Sequence, residues 1–351
     1  MMRILLMFTI PVYHLMVYNG VFFVDNTNAI LALVLSVGGA IPADYAFMAM
    51  SSYFFLETKN RPIIKRFLFL GAQVLTLYVI KVITLRGLFG YHNTEYFIDF
   101  FLMRGAWWYI YPYLLLSLFY PILNRVIDGM KKERLYLLTG ILGLVLFLCS
   151  VKNKGNFGED VIAFLFTYFF MGCQKRGEYQ RFFGVRICRR NMTILVLIGY
   201  LLLLFLAMTV KTGFFGDFFE ENAKILRFLI GRYQIIAVFM GYAVFFLFRD
   251  LPIPYRKSVH ILAGWTMYVF LLHDAWMGVF WYFGVCENDL GSYSLPAFIF
   301  WTLCYLVTSF FMAGLIKKIY DKCLLPLWSR GIQKICQWSV IRKWDEKLCQ
   351  M

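Results

Sequence analysis

Charge is scarce in this chain. Asp, Glu, Lys and Arg together make up 16% of its 351 residues, while apolar types reach 61% and the mean hydropathy is positive. Soluble domains carry about a quarter charged residues and nearer half apolar ones. A chain so poor in charge cannot cover its own surface in water, so the two soluble domains its length would allow are ruled out. Chemistry-bearing signatures are also missing. The eight cysteines form no CxxC and no Cys/His cluster at zinc spacing, which leaves neither a disulfide scaffold nor a metal site, and they read as packing residues. P-loop, GxSxG, HExxH and Gly-rich dinucleotide fingerprints do not occur. No internal repeat is found, so the inverted-repeat signature of many secondary transporters is lacking as well. A removable signal peptide is not expected either, because the first apolar run begins at Ile4 and no small-residue cleavage site follows it.

What is present in quantity is long apolar runs. Segments able to span about 30 Å of hydrocarbon fall at 4–24, 29–56, 63–83, 107–127, 134–150, 161–174, 193–210, 225–248, 258–283 and 296–316. The expected fold class is therefore all-α, a polytopic membrane bundle of about ten transmembrane helices over 1–321. The net charge of +15 would suit nucleic acid if it were clustered on one soluble face. Its distribution points elsewhere. With the N-terminus inside, 26 of the 35 Lys and Arg fall on the inner side and 8 on the outer, with Arg232 inside a span. That is the positive-inside asymmetry. It predicts an inner-membrane protein with both termini cytoplasmic, and nucleic acid is not needed to explain the charge. Residues 322–351 read as a basic amphipathic cytoplasmic tail, with Trp328, Ile332, Ile335, Ile341 and Leu348 at helical spacing between basic residues, suited to the anionic inner leaflet.

Ionisable groups inside a bilayer are costly and face a cavity or a partner. Those expected here are His14, Asp44, Lys65, Arg66, Arg232, His273 and Asp274. Arg3 precedes His14 by eleven residues, about 20° past three full turns, so the two share one helix face some ~16 Å apart. A cation at the rim above a mid-membrane imidazole suits an anionic donor reaching inward, and imidazole is the usual group for taking a proton from a hydroxyl. A snorkelling arginine and a hydrogen-bonded core histidine would give the same spacing. Lys65 and Arg66 can extend the basic rim toward phosphates or serve as ordinary flanks. Asp44, Ser51, Ser52 and Tyr53 place polar and small groups on the second span, where close packing is the plainer use. Arg232 has Asp44 or Asp274 as candidate partners.

Five segments in order resemble the acyltransferase 3 family of membrane-bound bacterial sugar O-acyltransferases. RILLMFTIPVYH, from Arg3 to His14, is similar to that family's R-x10-H opening, and MSSYFFL to its SGY/SGF stretch. WYIYPYLLLSLFYPILN, Trp108 to Asn124, resembles its W-F-x-x-x-Y-L-L-L-x-L-x-x-P-x-L-N helix. FLFTYFFMGC and MYVFLLHD resemble its sixth-helix and late YLIH segments. The likeness spans about 1–320. It implies an acyl-CoA, not bound permanently but used as co-substrate, with acetyl-CoA the leading case, and a carbohydrate or lipid-linked sugar hydroxyl as acceptor. It carries the family's functional arginine and histidine onto Arg3 and His14, its late histidine onto His273, and its basic third-helix positions onto Lys65 and Arg66. Ser52 stands where the family has Gly, Phe69 where a further basic residue is common, and no Glu lies near Trp108. The expected activity is O-acyl transfer to a cell-envelope or exported polysaccharide or its precursor. The other expectation is a transporter or flippase of such glycolipids.

Overall fold

The computed structural model describes residues 1–19, 21, 26–36, 40–58, 62–84, 109–152, 157–182, 184–211, 235–282 and 290–350. Arg232, Arg61, Trp108, Cys286 and the outer connection carrying His92, Glu95 and Asp99 lie outside those residues.

The described chain is all-α apart from one two-residue strand pair. Its helices are α1 (Met2–Tyr18), α2 (Thr27–Ser36), α3 (Ala40–Glu57), α4 (Ile63–Ile83), α5 (Ile110–Gly129), α6 (Lys132–Lys152) and α7 (Phe157–Arg176). After strands β1 (Arg181–Phe182) and β2 (Val185–Arg186) come α8 (Arg189–Lys211), α9 (Ile235–Arg249), α10 (Lys257–Tyr282), α11 (Leu295–Ile319), α12 (Leu325–Gln337) and α13 (Ser339–Gln350). Every expected span meets a helix. The second expected span, 29–56, falls on two described helices, α2 and α3. Five stretches are both long and apolar enough to cross a membrane: Thr27–Glu57, Ile63–Ile83, Ile110–Gly129, Arg189–Thr209 and Leu295–Gln337.

Apolar side chains point outward as readily as inward. On α8, Ile194, Leu197, Ile198, Leu201, Leu202 and Phe205 are exposed, and on α11 so are Phe300, Leu303, Val307 and Phe311. They recur every three or four residues, one face of a helix. Several buried polar groups lie on the opposite faces and are bonded internally. Thr302 Oγ1 donates to the Phe298 carbonyl at 2.8 Å, and Thr167 Oγ1 lies 2.7 Å from the Tyr242 hydroxyl. An apolar rind around a partly polar interior is what a hydrocarbon solvent selects.

The chain divides into two compact units. The first comprises Met1–Ala43, Ala72–Ile98 and Pro252–Ser329. In it α1 packs on α10, α2 and α11, and α10 on α11. α10 and α11 meet closely because Gly314 has no side chain: a Cβ there would sit 2.9 Å from the Trp265 ring. The Asn26 carboxamide caps α2 by accepting the Ala29 N–H at 3.1 Å, while its Nδ2 and that of Asn28 donate to the Gly291 carbonyl at 2.7 and 3.0 Å.

The second unit comprises Asp44–Gly71, Asp99–Leu251 and Arg330–Met351. Here α6 packs on α7, α8 on α9, and α5 on α7. β1 and β2 form an antiparallel hairpin whose turn holds Gly184 at φ +80°, a left-handed conformation that glycine adopts without strain. α11 runs on through a π-helical turn, Tyr320–Leu324, into α12. α13 then brings Asp345 to the start of α4, where its Oδ1 accepts the N–H groups of Ile63 and Ile64 at 2.8 and 3.0 Å. A carboxylate at a helix N-terminus satisfies two donors the helix leaves unbonded and complements its dipole. The tail is thus tied to a helix end as well as being amphipathic.

Candidate functional site

Three helices of the first unit bring four ionisable side chains into one line. His14 comes from α1, twelve residues past its start, which is ~18 Å along the axis. Lys81 comes from the far end of α4, and His273 and Asp274 from the middle of α10. His14 Nδ1 lies 2.6 Å from His273 Nε2, with the two rings nearly parallel at 12° and their centroids 4.9 Å apart. Asp274 Oδ1 is 2.9 Å from His273 Nε2 and 3.8 Å from His14 Nδ1. Its other oxygen, Oδ2, accepts from Lys81 Nζ at 3.0 Å.

Burial grades along the line. The Lys81 and His273 side chains are 3% and 2% exposed, Asp274 12% and His14 24%. His14 is therefore the member that meets whatever enters, and Lys81 closes the inner end. The helix backbone fixes His273. Its Nδ1 sits 2.8 Å from the Phe270 carbonyl and 3.1 Å from that of Val269. Both neighbours only accept, so Nδ1 carries the hydrogen and Nε2 is left to face His14 and Asp274. The Tyr305 hydroxyl on α11 donates to the His273 carbonyl at 3.1 Å, which holds this turn of α10 in place.

That tautomer decides the chemistry. A neutral His273 presents a lone pair on Nε2, and the donor within reach is the Nδ1–H of His14. In that arrangement the basic lone pair of His14 is on its Nε2. Asp274 Oδ1 is buried without an aligned hydrogen bond, and its approaches to the two rings become ion pairs only when a ring carries a second proton. The arrangement offers a basic nitrogen at His14 Nε2, backed by His273 and by a carboxylate whose other oxygen is bonded to Lys81.

His14, His273 and Asp274 also offer three donor atoms within 4.8 Å of one another, enough for a metal ion. The other oxygen of that carboxylate is already bonded to Lys81.

The other expected site residues lie in different places. Arg3 is exposed on α1, on the helix that carries His14. Lys65 and Arg66 stand in the first turn of α4, half-buried and exposed respectively, within the second unit. Asp44 and Ser52 are buried in α3. Ser51 Oγ lies 3.4 Å from the Tyr109 hydroxyl, and the Tyr53 ring packs on Tyr179 and Phe245. Among the described residues, the cation on Asp274 is Lys81. Lys81 is the residue sequence reasoning missed. It lies eighteen residues into α4, ~27 Å along, where a lysine reads as an ordinary outer flank.

Compared with family profiles, characterised proteins and solved structures, the chain finds no match.

Proposed function

We propose that this chain is a ten-helix inner-membrane O-acyltransferase with cytoplasmic termini, taking an acyl group, an acetyl group foremost, from acyl-CoA. The acceptor is a hydroxyl of a cell-envelope or exported polysaccharide or of its lipid-linked precursor. The observation that carries the reading is the His14–His273–Asp274–Lys81 line. It gives the histidine of the R-x10-H element a fixed tautomer and a carboxylate that stabilises its protonated form. The resemblance of five ordered segments to acyltransferase 3 enzymes names the reaction.

In this mechanism His14 Nε2 takes the proton as the acceptor hydroxyl oxygen attacks the thioester carbonyl. The new C–O bond forms, the C–S bond breaks, and the imidazolium returns its proton to the departing CoA thiolate. His273 and Asp274 hold the imidazolium in between, the division of labour of a nucleophile–base–acid triad with His14 as base. This chain has no Glu near Trp108, and a carboxylate from α10 takes up that task. Arg3, Lys65 and Arg66 are assigned to the donor phosphates, and Asp44, Ser51, Ser52, Tyr53 and Arg232 to the acceptor side or to packing.

The test is acceptor-dependent release of free CoA by purified protein in nanodiscs. His14→Asn should bind acyl-CoA as wild type does and transfer ~10²-fold more slowly, the scale of a lost general base. Transfer at the wild-type rate would overturn the mechanism. A second reading draws on the same line, since buried Asp and His relays also serve proton-coupled transporters. Proton flux into liposomes without acyl-CoA, lost in Asp274→Asn, would favour that reading instead.

A further inference from the structure

The second unit holds a cavity that the acyl-transfer site does not use. It has a volume of about 510 Å³ and lies between α6 and α9, backed by α7 and closed at one end by the β1–β2 hairpin. That is the size of a small-molecule pocket. Its two ends differ. One end is lined by Thr139, Gln174 and Arg181, and the other by Leu146, Phe147 and Ile235. From Tyr136 to Phe147 along α6 is eleven residues, or ~16 Å, about half of the ~30 Å hydrocarbon thickness. The cavity is therefore as deep as one leaflet.

The polar end asks for a particular guest. Arg181 is exposed and, among the described residues, meets no carboxylate. Lys132 stands nearby over the Tyr136 ring, 5.8 Å from its centroid, adding a second cation at this end. Gln174 Oε1 is buried with no hydrogen-bond partner, so it calls for a donor. The wall beside it is cleared by glycine: a Cβ at Gly140 would meet nothing within 4 Å. The outward face of α6, with Leu137, Ile141, Leu144 and Leu148 exposed, continues the apolar wall toward lipid. A cationic mouth above an apolar slot one leaflet deep suits an amphiphile with an anionic head and a single chain inserted.

We infer that this cavity is a binding site for an acidic glycerophospholipid with a hydroxyl-bearing head group, of the phosphatidylglycerol type. Its phosphate sits at Arg181, a head-group hydroxyl donates to Gln174 Oε1, and one acyl chain runs along Gly140 toward Phe147. The inference rests on the membrane reading and is independent of acyl transfer, so either can fail alone.

The experiment is native mass spectrometry of the full chain in detergent, with chain-matched phosphatidylglycerol and phosphatidylcholine added together. Wild type should retain one phosphatidylglycerol with a preference of about fivefold, the worth of one near-surface cation. Arg181→Gln should remove the preference, whereas Lys347→Gln in the exposed tail should keep it. Gly140→Phe, which fills the slot, should lower retention of both lipids. Equal retention of the two lipids by wild type would mean bulk annular lipid only and would overturn the site. So would a preference unchanged in Arg181→Gln, a variant at an exposed position that decides the matter should Gly140→Phe not fold.

Discussion

Replacing Lys81 with methionine tests the electrostatics of the site without any assumption about its reaction. Lys81 is 3% exposed and its Nζ lies 3.0 Å from Asp274 Oδ2. At an effective dielectric of about 20, unit charges at that distance attract by ~5–6 kcal/mol. Desolvating two ions costs several kcal/mol each, so the intact pair contributes little net stability. The balance changes when one partner is removed. Methionine keeps most of the volume of the lysine stem, so the variant leaves a good packing fit around an uncompensated carboxylate. The expected loss is on the order of 3–5 kcal/mol. Asp274→Asn, which strands the ammonium and both histidines, should lose a similar amount. The double variant Lys81→Met/Asp274→Asn removes both charges and should recover part of the loss, with a coupling of ~1–3 kcal/mol.

The assay is the unfolding midpoint in mixed micelles, read by tryptophan fluorescence, for wild type, both single variants and the double variant. Strictly additive losses would show that Lys81 and Asp274 do not interact. A Lys81→Met protein as stable as wild type would refute the buried ion pair.

The other predictions are more local. Asp345→Ala removes the carboxylate that accepts the Ile63 and Ile64 N–H groups, and should cost ~1 kcal/mol in the same assay; Asp345→Asn should cost less, since its amide oxygen can still accept. Gly314→Val should destabilise by several kcal/mol through overpacking against Trp265, 2.9 Å from the new Cβ, whereas Gly140→Ala, facing open space, should be neutral. In the acyl-transfer reading, the double Lys65→Gln/Arg66→Gln variant should weaken acyl-CoA binding most at low salt, and donor affinity that is unchanged would assign both residues to topology alone. Cysteine labelling of intact cells from outside should miss position 178, and modification there would reverse the proposed orientation.

Most of the helices were legible because hydrocarbon imposes a simple rule: a backbone that cannot bond to water bonds to itself, over lengths set by the bilayer. Each apolar run accordingly meets a helix. The rule is silent where helices end. Composition does not mark the end of α1 at Tyr18, within the apolar run 4–24. Nor does it mark the continuation of α11 through Tyr320–Leu324, because Lys322 reads as the first residue of a separate amphipathic tail while the backbone carries on in a π turn.

The site was half legible, and the missing half is instructive. His14, His273 and Asp274 were identifiable singly, since each is an ionisable residue in an apolar run. Their association was not, because His14 and His273 are 259 residues apart and one sequence gives no distance between helices. Lys81 was hidden by depth. Near a helix end a lysine can snorkel to water, so position alone assigns it to the surface. Its burial comes from α10, whose Asp274 stands where the ammonium would otherwise be stranded. A buried carboxylate demands a cation or a proton, and Asp274 was read from sequence as a residue in need of a partner. The partner had to be a Lys or Arg whose helix depth matches. Asp274 lies seventeen residues past the start of α10 and Lys81 eighteen past the start of α4, ~26 and ~27 Å along their axes. Helices entered from the same side thus bring both groups to the same level. That match in depth is the signal in the sequence that bears on this pair.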